Sequence, residues 1–262
     1  MIMRPALGRV MQPDAILFVI SLANLSARRF ATVANGLAAA TALPSRLVRL
    51  EGTDQNLPQA LDALRDEGHT SILVQPIGLP FPESLIAWLP GALATWSLLP
   101  GNDDVTLSVG SEASDDPALL SHFVTTALEN ADNATPVAKA KPSLGKPGWQ
   151  NPPDFRHHLL VCTGPRCHYR DAASLLHALK DETNRQGIAS QCLTARTGCL
   201  FPCNQGPMVA LYPKGEWYRL ADKTALARFV SEVLVQGQTA HDLLIHTAKA
   251  ARQPALSTKD NS

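Results

Sequence analysis

Two stretches decide the fold of the later part of this chain, LLVCTGPRCH at residues 159–168 and TGCLFPCNQGP at residues 197–207. They place four cysteines in two close pairs, Cys162 with Cys167 and Cys199 with Cys203, separated by 31 residues. Four thiolates in two pairs are the ligand set of iron–sulfur clusters and of structural zinc. A redox-active dithiol and inert thiols are the remaining interpretations. The spacing therefore predicts a sulfur-ligated metal centre and leaves the metal open.

Each cysteine pair follows a predicted strand and lies in a loop that contains glycine or proline. In such loops the backbone can turn its N–H groups toward the sulfur atoms, which stabilises their negative charge. Gly164 and Gly198 are the positions at which the absence of a side chain matters most.

Other thiols and imidazoles near the pairs have ordinary expected roles. Cys192 lies within a predicted strand and is expected to be a small buried apolar residue. His168 is expected to be an exposed loop histidine, with ligation or tuning of the metal centre as the alternative. His157 and His158 are expected at a solvated entry to the first strand of this half.

The segments around the cysteines alternate between strand and helix patterns over residues 156–238. Strands are predicted at 158–161, 190–194, 208–212 and 217–220, and helices at 171–185 and 223–235. This β-α-β-β-β-α order predicts a small thioredoxin-like α+β domain. Residues 239–262 follow, with a predicted amphipathic helix over 241–251 and then a polar end.

Residues 14–132 repeat a β-α unit four times, which predicts a parallel sheet with helices on both faces. Strands are expected at 16–20, 45–50, 71–77 and 105–109, and helices at 26–40, 53–68, 83–96 and 117–131. Pro90 is expected to kink or split the third helix. Apolar side chains of the last helix are expected to face inward, namely Leu119, Leu120, Phe123, Val124 and Leu128. Ligands of such sheets bind beyond the carboxyl ends of the strands.

Residues 133–155 separate the two patterned regions. They hold five prolines and two glycines without apolar periodicity, which predicts a semi-stiff linker. Residues 1–155 carry 10 Lys+Arg and 15 Asp+Glu, whereas residues 156–262 carry 13 and 8. This balance gives no case for nucleic-acid binding, but the positive half could steer an acidic redox partner.

The number of cysteines and the first apolar run bear on location. Five cysteines, an odd number, argue against a secreted disulfide framework. The apolar run over 15–23 is too short to span a membrane and is better explained as a buried first strand than as a signal peptide. A cytoplasmic location is expected.

From about residue 159 to 237 the sequence resembles the thioredoxin-like 2Fe-2S ferredoxins. The resemblance is carried by the two cysteine motifs, by GPMV at residues 206–209 and by the YPKGEWY hairpin at residues 212–218. It implies a 2Fe-2S cofactor, with Cys162 and Cys167 holding one iron and Cys199 and Cys203 the other. It also implies one-electron transfer with a redox partner protein.

Residues 14–131 are more weakly similar to the small class II tetrapyrrole chelatases, which insert cobalt or iron into sirohydrochlorin. The similarity rests on the β-α repeat, LPQALDAL at residues 57–64 and VQPIGLP at residues 74–80. Members carry a GHGS motif after the first strand and a histidine after the third. Here those places hold ISLA at residues 20–23 and Ser84, beside Glu83. The family's catalytic residues therefore carry over to no position.

Two histidines remain in the first domain, and neither is expected to reach the ligand-binding rim. His69 precedes the third strand and His122 lies in the last helix. The domain is therefore expected to bind a tetrapyrrole or a partner without catalysis. An altered chemistry on Glu83 with Ser21, Ser26 or Arg28 is the alternative, and the paired Arg28 and Arg29 would suit tetrapyrrole carboxylates.

The leading expectation is an electron carrier rather than an enzyme, serving tetrapyrrole or cobalamin metabolism. A metal chelatase with a regulatory or structural iron–sulfur cluster is the alternative, and a non-redox zinc module is a third hypothesis. A homodimer is a further expectation.

Overall fold

The structure is a computed structural model that describes residues 12–112, 116–134, 137, 148 and 150–248. The chain divides into two compact units, Met1–Pro152 and Pro153–Ser262. Both are mixed α/β structures, one with a four-stranded sheet and the other with a five-stranded sheet. The predicted fold class, a parallel-sheet unit and a second α+β unit, is confirmed.

The first unit alternates strands and helices as predicted. Its elements are β1 (Ala15–Ile20), α1 (Ala27–Ala39), β2 (Ser45–Arg49), α2 (Leu57–Asp66), β3 (Ser71–Ile77), α3 (Glu83–Ser97), β4 (Thr106–Val109) and α4 (Pro117–Glu129), followed by a 3-10 turn at Ala131–Asn133. All strand pairs are parallel, in the order β2-β1-β3-β4. Pro90 lies inside α3, which runs as one helix, so of the predicted kink or split the split is wrong and the kink stays a prediction.

The core of the first unit lies between the sheet and helices α2 and α3. Apolar residues on one side of each helix are buried with alternate residues of β1 and β3, including Leu17, Ile72, Leu61, Leu89 and Trp96. At the amino ends of the strands, the Asp14 carboxylate accepts hydrogen bonds from the N–H groups of Thr70 and Ser71 at 2.9 and 3.1 Å. Partial burial opposes ionisation of Asp14, but these bonds outweigh it and lower its pKa.

Helix α4 departs from the prediction. All thirteen of its residues are exposed, and the side chains of Phe123 and Leu128 are 62% and 71% exposed. The apolar spacing identified the helix correctly. The expectation that this face packs inward is wrong, because none of the apolar side chains of α4 is buried in the described part of the chain.

The second unit contains β5 (His157–Cys162), α5 (Pro165–Tyr169), α6 (Ala172–Arg185), β6 (Cys192–Thr197), β7 (Met208–Tyr212), β8 (Glu216–Arg219), α7 (Lys223–Arg228) and β9 (Leu244–Thr247). Helix α7 continues as a π-helix over Phe229–Val235, and 3-10 turns lie at Ala189–Gln191 and Cys203–Gln205. The sheet order is β6-β5-β7-β8-β9, with β5 and β6 parallel and the other pairs antiparallel.

The main core of this unit combines side chains from the sheet with side chains from α6, α7 and the π-helix. Leu159, Leu176, Tyr218 and Phe229 are fully or almost fully buried in it. Tyr218 packs against Phe229 with ring centroids 5.0 Å apart, and its hydroxyl donates to Glu216 Oε2 at 2.6 Å.

The predicted helix over 241–251 is wrong for the residues that the structure describes. Residues 241–243 form a turn and Leu244–Thr247 form β9, while residues 249–251 lie outside the described part. The edge of β8 offers unpaired backbone groups, and pairing with them outweighs a helical pattern of only a few residues. In the described part of the chain, no helix combines the length and the apolar character needed to cross a membrane.

Candidate metal centre

The first cysteine pair joins the end of β5 to the short helix α5. Cys162 is the last residue of β5, and Cys167 lies in the middle of α5. Gly164 is the N-cap of α5 and Pro165 occupies its first turn, where a missing N–H costs no helical hydrogen bond. Both cysteines are buried. Sequence reasoning predicted this segment as a loop and did not foresee the helix that carries Cys167.

The second cysteine pair follows β6. Cys199 is exposed and Cys203, which begins a 3-10 turn, is partly exposed. Their sulfur atoms are 3.5 Å apart. The pairing of β5 with β6 brings Cys162 opposite Thr197, and the Thr163 N–H donates to the Thr197 carbonyl at 2.9 Å. Both cysteine loops therefore leave the sheet at the same end, as the parallel strand order requires.

Two glycines let the loops approach each other. A Cβ atom on Gly164 would overlap the carbonyl oxygen of Gly198 and lie 2.8 Å from its carbonyl carbon. A Cβ atom on Gly206 would lie 2.5 Å from the Cys167 sulfur. A Cβ atom on Gly198 would meet nothing within 4 Å. The expectation for Gly164 is thus confirmed, that for Gly198 is wrong, and Gly206 was missed because its contact is not local in sequence.

Hydrogen bonds and burial set the charge states of the thiols. A hydrogen bond from the Cys167 thiol lowers the pKa of Cys162 to about 6, against the effect of burial and with help from the N–H groups of Gly164 and Leu200. The same hydrogen bond, burial and the charges of Cys162 and Cys203 raise the pKa of Cys167. Burial and the neighbouring Cys199 raise the pKa of Cys203. The four thiols therefore act electrostatically on one another across the two loops.

Apolar side chains from other elements close the site behind the first pair. Cys162 and Cys167 cluster with Met208, and Leu200, Trp217 and Ile245 pack against them. Arg170 spans the two loops, since its Nη1 donates to the carbonyl oxygen of Cys203 at 2.9 Å and to that of Arg166 at 3.3 Å. Sequence reasoning did not assign a role to these residues, although GPMV and the hairpin motif contain two of them.

The thiols fit a centre that takes ligands in pairs. Cys162 with Cys167 and Cys199 with Cys203 each form a close pair, and backbone N–H groups point at the Cys162 sulfur. Among the described residues, no group of three or more His, Cys, Asp or Glu side chains is arranged to hold a metal ion. Two adjacent pairs of thiolates are a ligand set that both 2Fe-2S clusters and structural zinc use.

Two of the other predicted residues near the cysteines have different surroundings from those expected. His168 and His157 are buried, so the expectations of an exposed loop histidine and a solvated strand entry are wrong. His168 follows Cys167 in α5 and is carried inward with that helix. His158 is partly buried, with its ring centroid 5.5 Å from that of Phe155. Cys192 begins β6, is partly buried against the main core, and has a pKa raised by burial.

At the carboxyl ends of β1 and β2, the first unit places several charged and polar groups together. The Ser21 hydroxyl donates to Glu51 Oε1 at 2.9 Å. Arg49 is buried, donates to the Leu25 carbonyl at 2.9 Å and pairs with Asp54. Sequence reasoning missed Arg49 because an arginine in a strand gives no periodic signal of its own.

The remaining candidates in the first unit have structural positions. Ser26 caps α1 by accepting a hydrogen bond from the Arg29 N–H at 3.3 Å. Arg28 and Arg29 are exposed in the first turn of α1, and Glu83 is exposed in the first turn of α3. A carboxylate there complements the helix dipole.

Both histidines of this unit lie where the sequence placed them. His69 precedes β3, with its Nδ1 3.9 Å from the Asp14 carboxylate at the amino ends of the strands, and His122 is exposed in α4.

Sequence comparison relates one part of the chain to known proteins. No protein-family profile matches the chain. A 2Fe-2S ferredoxin from Clostridium pasteurianum is 26% identical over 98 residues, covering 34% of this chain and 96% of the ferredoxin. A 2Fe-2S ferredoxin from Aquifex aeolicus is 28% identical over 102 residues, covering 35% and 91%. About a third of the chain is thus similar to nearly the whole of a 2Fe-2S ferredoxin, and the predicted resemblance is confirmed.

Solved structures give two kinds of neighbour. A thioredoxin-like 2Fe-2S ferredoxin from Aquifex aeolicus is 24% identical and covers 37% of this chain and 96% of that one, with a TM-score of 0.34. A protein from Marinobacter aquaeolei, described as a CbiX protein of cobalamin biosynthesis, is 15% identical and covers 47% and 100%, with a TM-score of 0.39.

Proposed function

We propose that the second unit is a one-electron carrier whose 2Fe-2S cluster is held by Cys162, Cys167, Cys199 and Cys203. The observation that carries the proposal is the meeting of the two cysteine loops, which places two thiol pairs at one end of β5 and β6. The sequence similarity to 2Fe-2S ferredoxins spans almost the whole of those proteins and supports the same cofactor.

The two cysteine pairs would have different roles, because one lies on a buried side of the site and the other on an exposed side. Cys162 and Cys167 keep one metal position away from water, behind Met208. Cys199 and Cys203 bring the other position to the surface, where a partner can approach. When bound, a 2Fe-2S cluster takes up and releases one electron. The N–H groups that point at the Cys162 sulfur would stabilise negative charge there, and burial of the first pair would oppose it.

The test is to determine the metal content and the spectra of anaerobically purified protein. We expect about two irons and two acid-labile sulfides per chain, a visible absorption band that bleaches with dithionite, and a paramagnetic signal on reduction. Replacing any ligand cysteine, for example Cys199→Ser, should lower or alter the cluster signal. Cys192→Ser is the matched control, because that thiol lies at the start of β6 against the main core. One zinc per chain without sulfide would replace this proposal by the zinc module.

For the first unit we propose non-catalytic binding of a tetrapyrrole at the carboxyl ends of its strands. Arg49, Ser21 and Glu51 supply polar groups at that rim, whereas His69 lies at the opposite end of the sheet. Imidazole is the usual base and first-row metal ligand near neutral pH, so a rim that His69 does not reach is expected to bind a tetrapyrrole without inserting a metal. Titration with sirohydrochlorin should show binding without insertion of cobalt or iron.

The competing hypothesis is an active chelatase with a structural or regulatory cluster. It requires insertion activity that falls in Glu83→Ala and persists in Glu67→Ala. Glu67 is a suitable control, because it follows α2 and pairs with Arg46 near the amino end of β2. Insertion that depends on Glu83 would overturn the non-catalytic proposal.

We also propose that the chain forms a homodimer through α4. The helix exposes Leu119, Phe123, Val124 and Leu128 at i, i+4, i+5 and i+9. Among its thirteen residues Glu129 is the only Asp, Glu, Lys or Arg, and His122 is its one histidine. Two uncharged apolar faces can pack together without charge repulsion, so a second copy fits better than a charged partner. Light scattering should give a dimer mass for the natural chain and a monomer mass for Phe123→Ser. A monomer mass for the natural chain would refute the dimer.

A further inference from the structure

Phe201 has an unusual position in the second cysteine loop. It lies between Cys199 and Cys203, and its side chain is 74% exposed. Its φ of 42° is in the left-handed region, which bulky side chains seldom adopt. The preceding Leu200 packs inward against Cys162 and Cys167. The loop thus packs the Leu200 side chain into the site and leaves the Phe201 side chain in solvent. The positive φ of Phe201 costs conformational free energy, and packing of the core does not require it.

The charges on the two cysteine loops have one sign. Residues 162–170 and 196–207 contain Arg166, Arg170 and Arg196 and no aspartate or glutamate. Arg170 and Arg196 are exposed, and Arg166 is partly exposed. The hydrogen bonds of Arg170 to the carbonyl oxygens of Arg166 and Cys203 fix its guanidinium across both loops. The two cysteine loops therefore combine one exposed aromatic side chain with positive charge alone.

We infer that Phe201, Arg166, Arg170 and Arg196 form a docking surface for an electron-donating protein with an acidic rim around an apolar contact. The inference rests on the proposed function. Aromatic side chains at the centre of an interface contribute much of its binding energy, and complementary charge mainly raises the rate of encounter. A flavoprotein with an acidic surface is a one-electron donor of this kind and serves as the probe. Its flavin hydroquinone would give one electron to the cluster that Cys162, Cys167, Cys199 and Cys203 would hold and would become a semiquinone, and no bond to this chain would form or break.

A competing explanation assigns the arginines to the cluster alone, as positive charge that offsets thiolates and sulfides. It gives Phe201 no role and predicts the same effect of an arginine change on every reductant. The docking surface predicts an effect confined to an acidic protein donor. The two explanations are therefore separated by comparing a protein donor with a small neutral donor.

The experiment uses the full chain with its cluster assembled. Cluster content and bleaching by dithionite are measured first, because their absence would refute the proposed function rather than the docking surface. Stopped-flow rates are then measured with flavodoxin hydroquinone, an acidic flavoprotein, and with photoreduced deazaflavin. The rate ratio of the two donors is compared among natural chain, Phe201→Asn, Arg196→Gln and Arg185→Gln. Asparagine tolerates a positive φ, and Arg185 ends α6, about 20 Å along the helix axis from its start.

We expect Phe201→Asn to lower the flavodoxin-to-deazaflavin rate ratio about tenfold. Arg196→Gln should lower it about two- to threefold at low salt and have little effect at 0.5 M salt, because screening removes charge steering. Arg185→Gln should leave the ratio unchanged. An unchanged ratio in Phe201→Asn would overturn the inference.

Discussion

Replacement of Gly164 by alanine should separate the two cysteine loops. The added Cβ atom would lie 2.8 Å from the Gly198 carbonyl carbon, and ordinary contacts begin at 3.4 Å, so the loops must move apart by 0.6 Å or more. Metal sites tolerate ligand distances only within about 0.2 Å of their normal values. We therefore expect Gly164→Ala to lose most of its iron and acid-labile sulfide. Overpacking of this kind also costs about 1–3 kcal/mol in the free energy of unfolding.

The control lies on the opposite loop. Alanine at Gly198 would place its Cβ atom where nothing lies within 4 Å, and its φ is outside the left-handed region. Gly198→Ala should therefore keep its cluster and be as stable as the natural chain, or more stable by up to about 1 kcal/mol. Iron and sulfide per chain are measured after identical reconstitution, and urea unfolding is measured on the metal-free proteins. Equal cluster content and equal stability in the two variants would refute the close approach of the loops.

Three further outcomes are expected. Gly206→Ala should also lose cluster, because its Cβ atom would lie 2.5 Å from the Cys167 sulfur, and iron content checks this. Asp14→Asn should lower the free energy of unfolding by at most about 1 kcal/mol at neutral pH. Because the pKa of Asp14 is lowered in the folded protein, its contribution is present above its unfolded pKa of 3.8 and is lost as pH falls through the folded value. Urea unfolding from pH 2 to 7 should therefore show a weaker loss of stability in acid for the variant than for the natural chain. Tyr218→Phe removes a 2.6 Å hydrogen bond to Glu216 and should lower the free energy of unfolding by about 1–2 kcal/mol without loss of cluster.

The parts of the fold that the sequence predicted are those with strong local signals. The β-α repeat of the first unit and the strands around the cysteines follow from apolar runs and glycine or proline stops. The prediction failed where a distant segment decides the outcome. Residues 241–248 have a helical pattern but end in β9, because the edge of β8 is available. Apolar spacing identified α4 as a helix, yet spacing cannot say whether anything covers it.

The same distinction applies to the candidate metal centre. The cysteine spacing predicted two close pairs of candidate ligands because each pair is local. Burial of His168 depends on the packing of α5, and the role of Gly206 depends on a sulfur atom 39 residues earlier in the chain, at Cys167. Neither has a signature in its own segment. Only the approach of three separate segments in the folded unit reveals them.

The parallel pairing of β5 with β6 is the element on which both the fold and the candidate metal centre depend. It places Cys162 opposite Thr197, so that each strand ends at the same level and its loop turns toward the other. A shift in register by one residue would move one loop by about 3.3 Å and turn its side chains to the other face of the sheet. Cys199 and Cys203 would then leave the buried pair, although every cysteine and its spacing in the sequence stayed the same. The meeting of the two cysteine pairs therefore depends on the apolar faces of two strands as much as on the cysteines themselves.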